Sequence, residues 1–222
     1  MAQIAERLAS LRSQLPPSVQ LIAVSKNHPA TAIREAYAAG QRHFGENRVQ
    51  EAIAKQAELT DLPDLTWHLI GQLQSNKVRK AVEHFDWIHS VGSWALAERL
   101  DRIAGELGRS PQICLQVKLL PDPNKAGWDP VDLRADFSQL SQLQHIQIRG
   151  LMAIPPLGLT PAETQALFAQ AHTLASELQQ QAPQLKLTEL SMGMSNDWPL
   201  AVAEGATWIR VGTQLFGPRS PQ

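Results

Sequence analysis

The residue best placed to do covalent chemistry is Lys26. It closes the run Leu21-Ile22-Ala23-Val24-Ser25-Lys26, in which four apolar residues lead into a serine and a lysine. Such a run predicts a strand buried on both faces, as in a parallel sheet. Apolar neighbours strip water from the amine, which lowers its pKa and makes it a nucleophile toward aldehydes. The predicted chemistry is a Schiff base on Lys26; a solvated lysine at a strand end is the alternative. A second group of residues lies far along the chain, at Ser191-Met192-Gly193-Met194-Ser195-Asn196-Asp197 and Val211-Gly212-Thr213. Small residues let backbone N–H groups approach an anion, and Ser and Thr hydroxyls can donate to it. Taken alone, such stretches are usually turns. Arg210 stands inside an apolar run, where a charge needs a partner. That partner is either a carboxylate within the fold or a ligand atom.

These residues need elements to bring them together. Ile4, Leu8 and Leu11 predict a helix over 2–14, ended by Pro16-Pro17. Strands are predicted at 20–26, 43–47, 66–71, 87–91, 113–120, 146–153, 185–190 and 208–212, each separated from the next by a helix-length segment. Those helices are predicted from Pro29 to Ala39, over 48–59 with a Val49, Ile53, Ala57 stripe, from an N-cap at Ser75 through Val82, and over 94–107 capped by Ser93. Further helices cover 131–142, the segment from Thr160-Pro161-Ala162-Glu163 to Gln181, and Ser195 to Ala203; a loop is predicted over 121–130. Strict alternation predicts a parallel sheet with helical crossovers, and eight units can close into a (β/α)₈ barrel. A doubly wound open sheet is the alternative, but no Gly-x-Gly-x-x-Gly follows any strand. Only about ten residues follow the last strand, so helix 2–14 is expected to share the packing of a last helix, with 1–222 as one barrel domain.

In such a barrel the strands' C-terminal ends carry the site. The candidates there are Lys26, Glu46 and Asn47, Gly71 to Asn76, Ser90, Met152, Ser191 to Asp197, and Gly212-Thr213. Strand eight neighbours strand one in a closed barrel. An aldehyde-reactive lysine beside a phosphate cradle fits a phosphorylated carbonyl compound, either pyridoxal phosphate or a phosphosugar.

Bulk properties remove other classes. Hydrophobic residues make up 43% of 222 residues, the net charge is −1 and the pI is about 6.7. No basic excess exists to drive nucleic-acid binding. One cysteine, Cys114, excludes an intramolecular disulfide framework and a cysteine zinc cluster. Neither a signal peptide nor a membrane span is read, so a cytoplasmic protein is expected, with no metal site.

The motifs Val24-Ser25-Lys26, Phe44-Gly45-Glu46-Asn47-Arg48-Val49-Gln50-Glu51 and Trp67-His68-Leu69-Ile70-Gly71-Gln72-Leu73-Gln74-Ser75-Asn76-Lys77 resemble those of the pyridoxal-phosphate homeostasis protein family. So do Gly150-Leu151-Met152, Leu190 through Asp197, and Arg210-Val211-Gly212-Thr213 with Phe216-Gly217. The resemblance implies a single barrel like the N-terminal domain of alanine racemase. It implies pyridoxal phosphate on Lys26, phosphate held by Ser191, Ser195, Gly212 and Thr213, Arg210 facing the pyridine nitrogen, and Asn47 near the phenolic oxygen side. It also implies a regulator or carrier of the cofactor, acting in amino-acid and keto-acid balance without a firm catalytic activity. Apo-enzymes that accept the cofactor are the implied partners. His28 and Lys118 depart from the family pattern. Racemases of this fold draw a second base, a tyrosine, from another domain of a partner subunit. Here the sole tyrosine, Tyr37, is predicted to pack beside Ile33, and no second domain is read. Negligible racemisation and a monomer are expected; a weak racemase-like enzyme is the runner-up and a Schiff-base phosphosugar aldolase the third reading.

Overall fold

The computed structural model of the chain describes residues 2–122 and 126–217. Helix α1 (Ala2–Arg12) leads into β1 (Gln20–Val24), α2 (Ala30–Ala38), β2 (His43–Glu46), α3 (Val49–Glu58), β3 (Thr66–Leu69), α4 (Val78–His84) and β4 (Trp87–Val91). There follow α5 (Trp94–Leu107), β5 (Gln112–Val117), α6 (Pro130–Leu140), β6 (Gln147–Ala153), α7 (Pro161–Gln181), β7 (Glu189–Met194), α8 (Trp198–Ala203), β8 (Trp208–Val211) and the short α9 (Thr213–Phe216). Each strand pairs in parallel with the next, and β8 closes on β1 in the register Gln20↔Trp208 to Ala23↔Val211. The chain therefore forms the (β/α)₈ barrel, an α/β fold, and not the open sheet.

Burial on both faces explains the apolar strands. Phe44, Leu69, Ile88 and Leu115 pack outward among the helices, in the larger core. Ile22, Trp87, Cys114, Met152 and Trp208 fill the barrel lumen as a separate cluster. Each large side chain so buried contributes roughly 1.5–3 kcal/mol. Ser93 caps α5 by accepting from Leu96 N at 3.4 Å, and Thr160 and Glu163 form a capping box with Pro161 in the first turn of α7. Helix α1 buries Leu8 and Leu11 and packs against α2 and α9. Among the described residues no helix is long and apolar enough to cross a membrane.

Several boundaries differ from the sequence reading, each for a local reason. Strand β1 stops at Val24, because the chain turns at Ser25. Helix α3 buries Val49, Ala52 and Lys55, whereas Ala57 is exposed. Ser75 opens a 3₁₀ turn, Ser75–Lys77, and does not cap α4. Strand β5 ends at Val117, since Lys118 N donates back to Trp128 O at 2.8 Å. Strand β7 begins at Glu189 because 185–187 is tied to the end of α7, with Gln179 Nε2 donating to Leu185 O at 2.8 Å and Leu187 N donating to Gln179 Oε1 at 2.7 Å. Helix α8 begins at Trp198, after a turn in which Met194 N donates to Asp197 Oδ1 at 2.6 Å. Of the loop predicted over 121–130, residues 123–125 lie outside the described residues.

Candidate functional site

Lys26 sits at the C-terminal rim, two residues past the end of β1, and is half-buried. Period-two alternation carries Ile22, Val24 and Lys26 to the lumen side of the strand. A tight turn fixes the lysine: His28 N donates to Ser25 O at 3.0 Å, and Asn27 takes the left-handed conformation at φ 63°. Asparagine tolerates that region better than most residues. His28 packs against Phe216, with ring centroids 5.0 Å apart and tilted by 31°.

Under the turn lies a buried charged cluster. Ser25 Oγ donates to Glu46 Oε1 at 2.7 Å, and Lys55 Nζ donates to Glu46 Oε1 at 2.6 Å, to Glu51 Oε1 at 2.8 Å and to Ser25 O at 2.8 Å. Asn27 N donates to Glu51 Oε1 at 2.6 Å. The backbone on both sides of Lys26 is thus tied to α3. Burial pushes the Glu46 carboxyl up, against the pull of Lys55 and Ser25. Glu46 was a rim candidate; it faces α3 instead, and its Oε2 is buried without a partner. The 51/55 spacing of Glu and Lys, an i,i+4 pair, was the sequence signal for this cluster.

The rim of β8 adjoins that of β1. A Cβ at Gly212 would lie 3.1 Å from Val24 O, so only a bare backbone allows the two rims to meet this closely. Thr213, exposed, begins α9, and Ser195, half-buried, lies in the turn before α8. The first amides of a helix lack intrahelical partners and point outward as donors. Asn47 follows β2 and is packed by Gly71, where a Cβ would come within 2.3 Å of Asn47 O. Lys118 lies beyond β5, with Nζ 3.9 Å from Asp129 Oδ1.

Ser191 differs from its predicted place. It lies inside β7, fully buried, and its hydroxyl meets Arg210 and His89 within the barrel. Arg210 is 4% exposed, and in register with Ile22. Its Nη1 donates to Ser191 Oγ at 2.8 Å and its Nη2 to Ala153 O at 3.1 Å. No carboxylate forms an ion pair with it among the described residues. Burial lowers its pKa to about 10, so it stays a cation held by neutral oxygens. Asp197 acts on it through charge, without an ion pair. A phosphorylated aldehyde with an acceptor nitrogen fits this donor set: an amine, small-residue rims for an anion, and a guanidinium.

Sequence reasoning missed the histidines. His43 Nδ1 lies 3.1 Å from His68 Nε2, His68 Nδ1 lies 2.9 Å from His89 Nε2, and His89 Nδ1 lies 2.8 Å from Ser191 Oγ. Burial lowers the pKa of all three, that of His89 to about 3. His43, His68 and His89 lie on consecutive strands, each stepped two residues along from the last in the register His43↔Thr66, Gly45↔His68, His68↔Trp87, a pattern visible only once the register is known.

Comparison with known proteins gives the family. The model of the alanine racemase N-terminal domain matches residues 1–220. A pyridoxal phosphate homeostasis protein of Synechocystis sp. is 54% identical over 205 residues, covering 92% of this chain and 94% of that protein. The chain belongs to the pyridoxal phosphate homeostasis protein family. Within this family, the structure of PipY from Synechococcus elongatus PCC7942 with PLP bound is 89% identical, with a TM-score of 0.94 over 97% of this chain and 100% of that one. The same protein without PLP is 90% identical, with a TM-score of 0.96 over the same shares.

Proposed function

We propose that this family member binds pyridoxal phosphate, with Lys26 joined to the aldehyde carbon as a Schiff base, and serves in cofactor homeostasis. The observation that carries the reading is the closure of β8 on β1, which sets the Lys26 turn against the Gly212 rim. Ser195, Gly212 and Thr213 hold the phosphate, Asn47 lies on the phenolic oxygen side, and Arg210 faces the ring nitrogen. Ser191 contributes from below, by bracing Arg210. PipY with PLP bound, at 89% identity, supports the cofactor, and the names of the relatives support the role.

When bound, the cofactor supplies an aldehyde and an electron-withdrawing ring. A fixed cation at the ring nitrogen disfavours its protonation, which weakens the ring as an electron sink. A second base is also wanting. Tyr37 Oη donates to Asp64, and Arg42 covers its ring at 3.8 Å from the centroid, near the lower end of the barrel. We therefore read the chain as a non-enzyme that carries or regulates the cofactor as one 1–222 barrel, a cytoplasmic monomer that influences amino-acid and keto-acid balance and passes its cargo to apo-enzymes. Borohydride reduction of the loaded protein followed by peptide mass spectrometry is the test. An adduct on Lys26 supports the proposal. An adduct on Lys55 or another lysine, or a protein that takes up no cofactor, refutes it.

A further inference from the structure

We infer that His89, His68 and His43 are positioning residues for Arg210: with Ser191 they form a neutral hydrogen-bond chain of one fixed direction that holds the guanidinium in place. A guanidinium has five N–H donors and no acceptor. At 2.8 Å from Arg210 Nη1, Ser191 Oγ must therefore accept. Ser191 is fully buried, so its single hydroxyl proton needs an acceptor inside the protein. His89 Nδ1, at 2.8 Å, is the acceptor available among the described residues. His89 then carries its proton on Nε2 and donates to His68 Nδ1 at 2.9 Å. His68 in turn carries its proton on Nε2 and donates to His43 Nδ1 at 3.1 Å. His43 ends the chain with Nε2–H, and it lines a cleft of about 350 Å³ at the lower end of the barrel, with Arg12 and Arg42.

The reverse direction fails at one atom. It would bring two donors onto Ser191 Oγ and leave the serine proton buried without an acceptor, the full desolvation cost of an unmade hydrogen bond. A second proton on His43 or His68 fails as well, since it would set two N–H groups face to face, and one on His89 would set Nδ1–H against the Ser191 hydroxyl proton. One arginine thus dictates the tautomers of three residues on three other strands. The packing supports the same order. His68 stacks on Trp87 with centroids 5.8 Å apart at 12°, and Trp208 lies against both His43 and His68. The rings are wedged and cannot turn freely.

The tautomers do not depend on the proposed function; the consequence for the cofactor rests on it. Long-range proton–nitrogen correlation spectra of the histidine-labelled protein, without cofactor, read the tautomers directly. The expected result is three neutral Nε2–H imidazoles for His43, His68 and His89 at neutral pH. An Nδ1–H form or a charged ring at any of the three overturns the chain. The positioning role is read from cofactor affinity and from the visible band of the bound cofactor. His89→Leu breaks the chain and is expected to bind pyridoxal phosphate about tenfold more weakly, with an altered band, as fits the loss of a hydrogen bond that orders a charged group. His89→Gln offers an amide, which can accept from Ser191 and donate to His68, and is expected to restore both. Ser191→Ala is expected to match His89→Leu and serves if that variant fails to fold. Folded His89→Leu or Ser191→Ala protein with wild-type affinity and band overturns the positioning role. Wild-type protein with the expected tautomers and no cofactor uptake would refute the proposed function and leave the chain standing.

Discussion

Acidification should unfold this protein earlier than its carboxylates alone would require, and His89 supplies the measure. A histidine in an unfolded chain titrates near 6.5. Burial, and then the charge of Arg210, hold His89 at about 3 in the folded barrel. Below the unfolded value the unfolded chain takes up a proton that the folded one refuses. Stability is therefore fully present above about pH 6.5 and falls as the pH drops, by about 1.4 kcal/mol per pH unit, until the folded value is reached. Between about pH 7.5 and about pH 5 the loss from His89 alone is about 2 kcal/mol. His68 and His43, lowered chiefly by burial, add losses of the same sign. Glu46, raised by burial, works the other way, since its folded form takes a proton more readily than the unfolded chain. Urea unfolding at several pH values, on the wild type and on His89→Gln, separates these contributions. The variant should unfold with a stability that depends less on pH, by about 2 kcal/mol across that range. Identical pH dependence in the two proteins would refute the claim that His89 is buried neutral.

Other outcomes follow from the rims. Lys26→Ala should keep cooperative melting and lose the covalent adduct, checked by thermal unfolding and by mass spectrometry after reduction; loss of the melting transition would contradict the limited packing of a half-buried rim side chain. Lys55→Met should destabilise the fold by about 3 kcal/mol, because Glu46 then stands buried without its cation; denaturant unfolding measures this. The same variant frees the Ser25 carbonyl and Glu51, so cofactor release should quicken. Gly71→Ala should displace Asn47, whose carbonyl oxygen lies 2.3 Å from the new Cβ position, and weaken cofactor binding more than it lowers the melting temperature. A racemisation assay with the loaded protein should show negligible turnover, since Tyr37 is bound to Asp64; turnover at ordinary enzyme rates, on the order of 1–1,000 per second, would contradict it.

The sequence alone determined the eightfold alternation, the barrel and the rim position of Lys26, because apolar runs, prolines and caps are local signals that survive in one dimension. It also marked Gly212, Thr213, Ser195 and Asn47, since small or polar residues after strands stand out against apolar runs. Strand ends were less legible where the tertiary structure overrode them. Residues 185–187 read as strand but are held by Gln179 of α7, which moved Ser191 from a rim loop into the lumen. Only the closed register could decide the rest. His43, His68 and His89 are far apart in sequence, and each alone looks like an ordinary strand residue. They become a chain because adjacent strands place their inward side chains within hydrogen-bond reach. The packing of α3 on β2 likewise brings Lys55 to Glu46 and Ser25, a contact that the 51/55 spacing alone does not give. Hydrogen-bond partners across a barrel are set by register and twist, and neither is written in the spacing of residues along one strand.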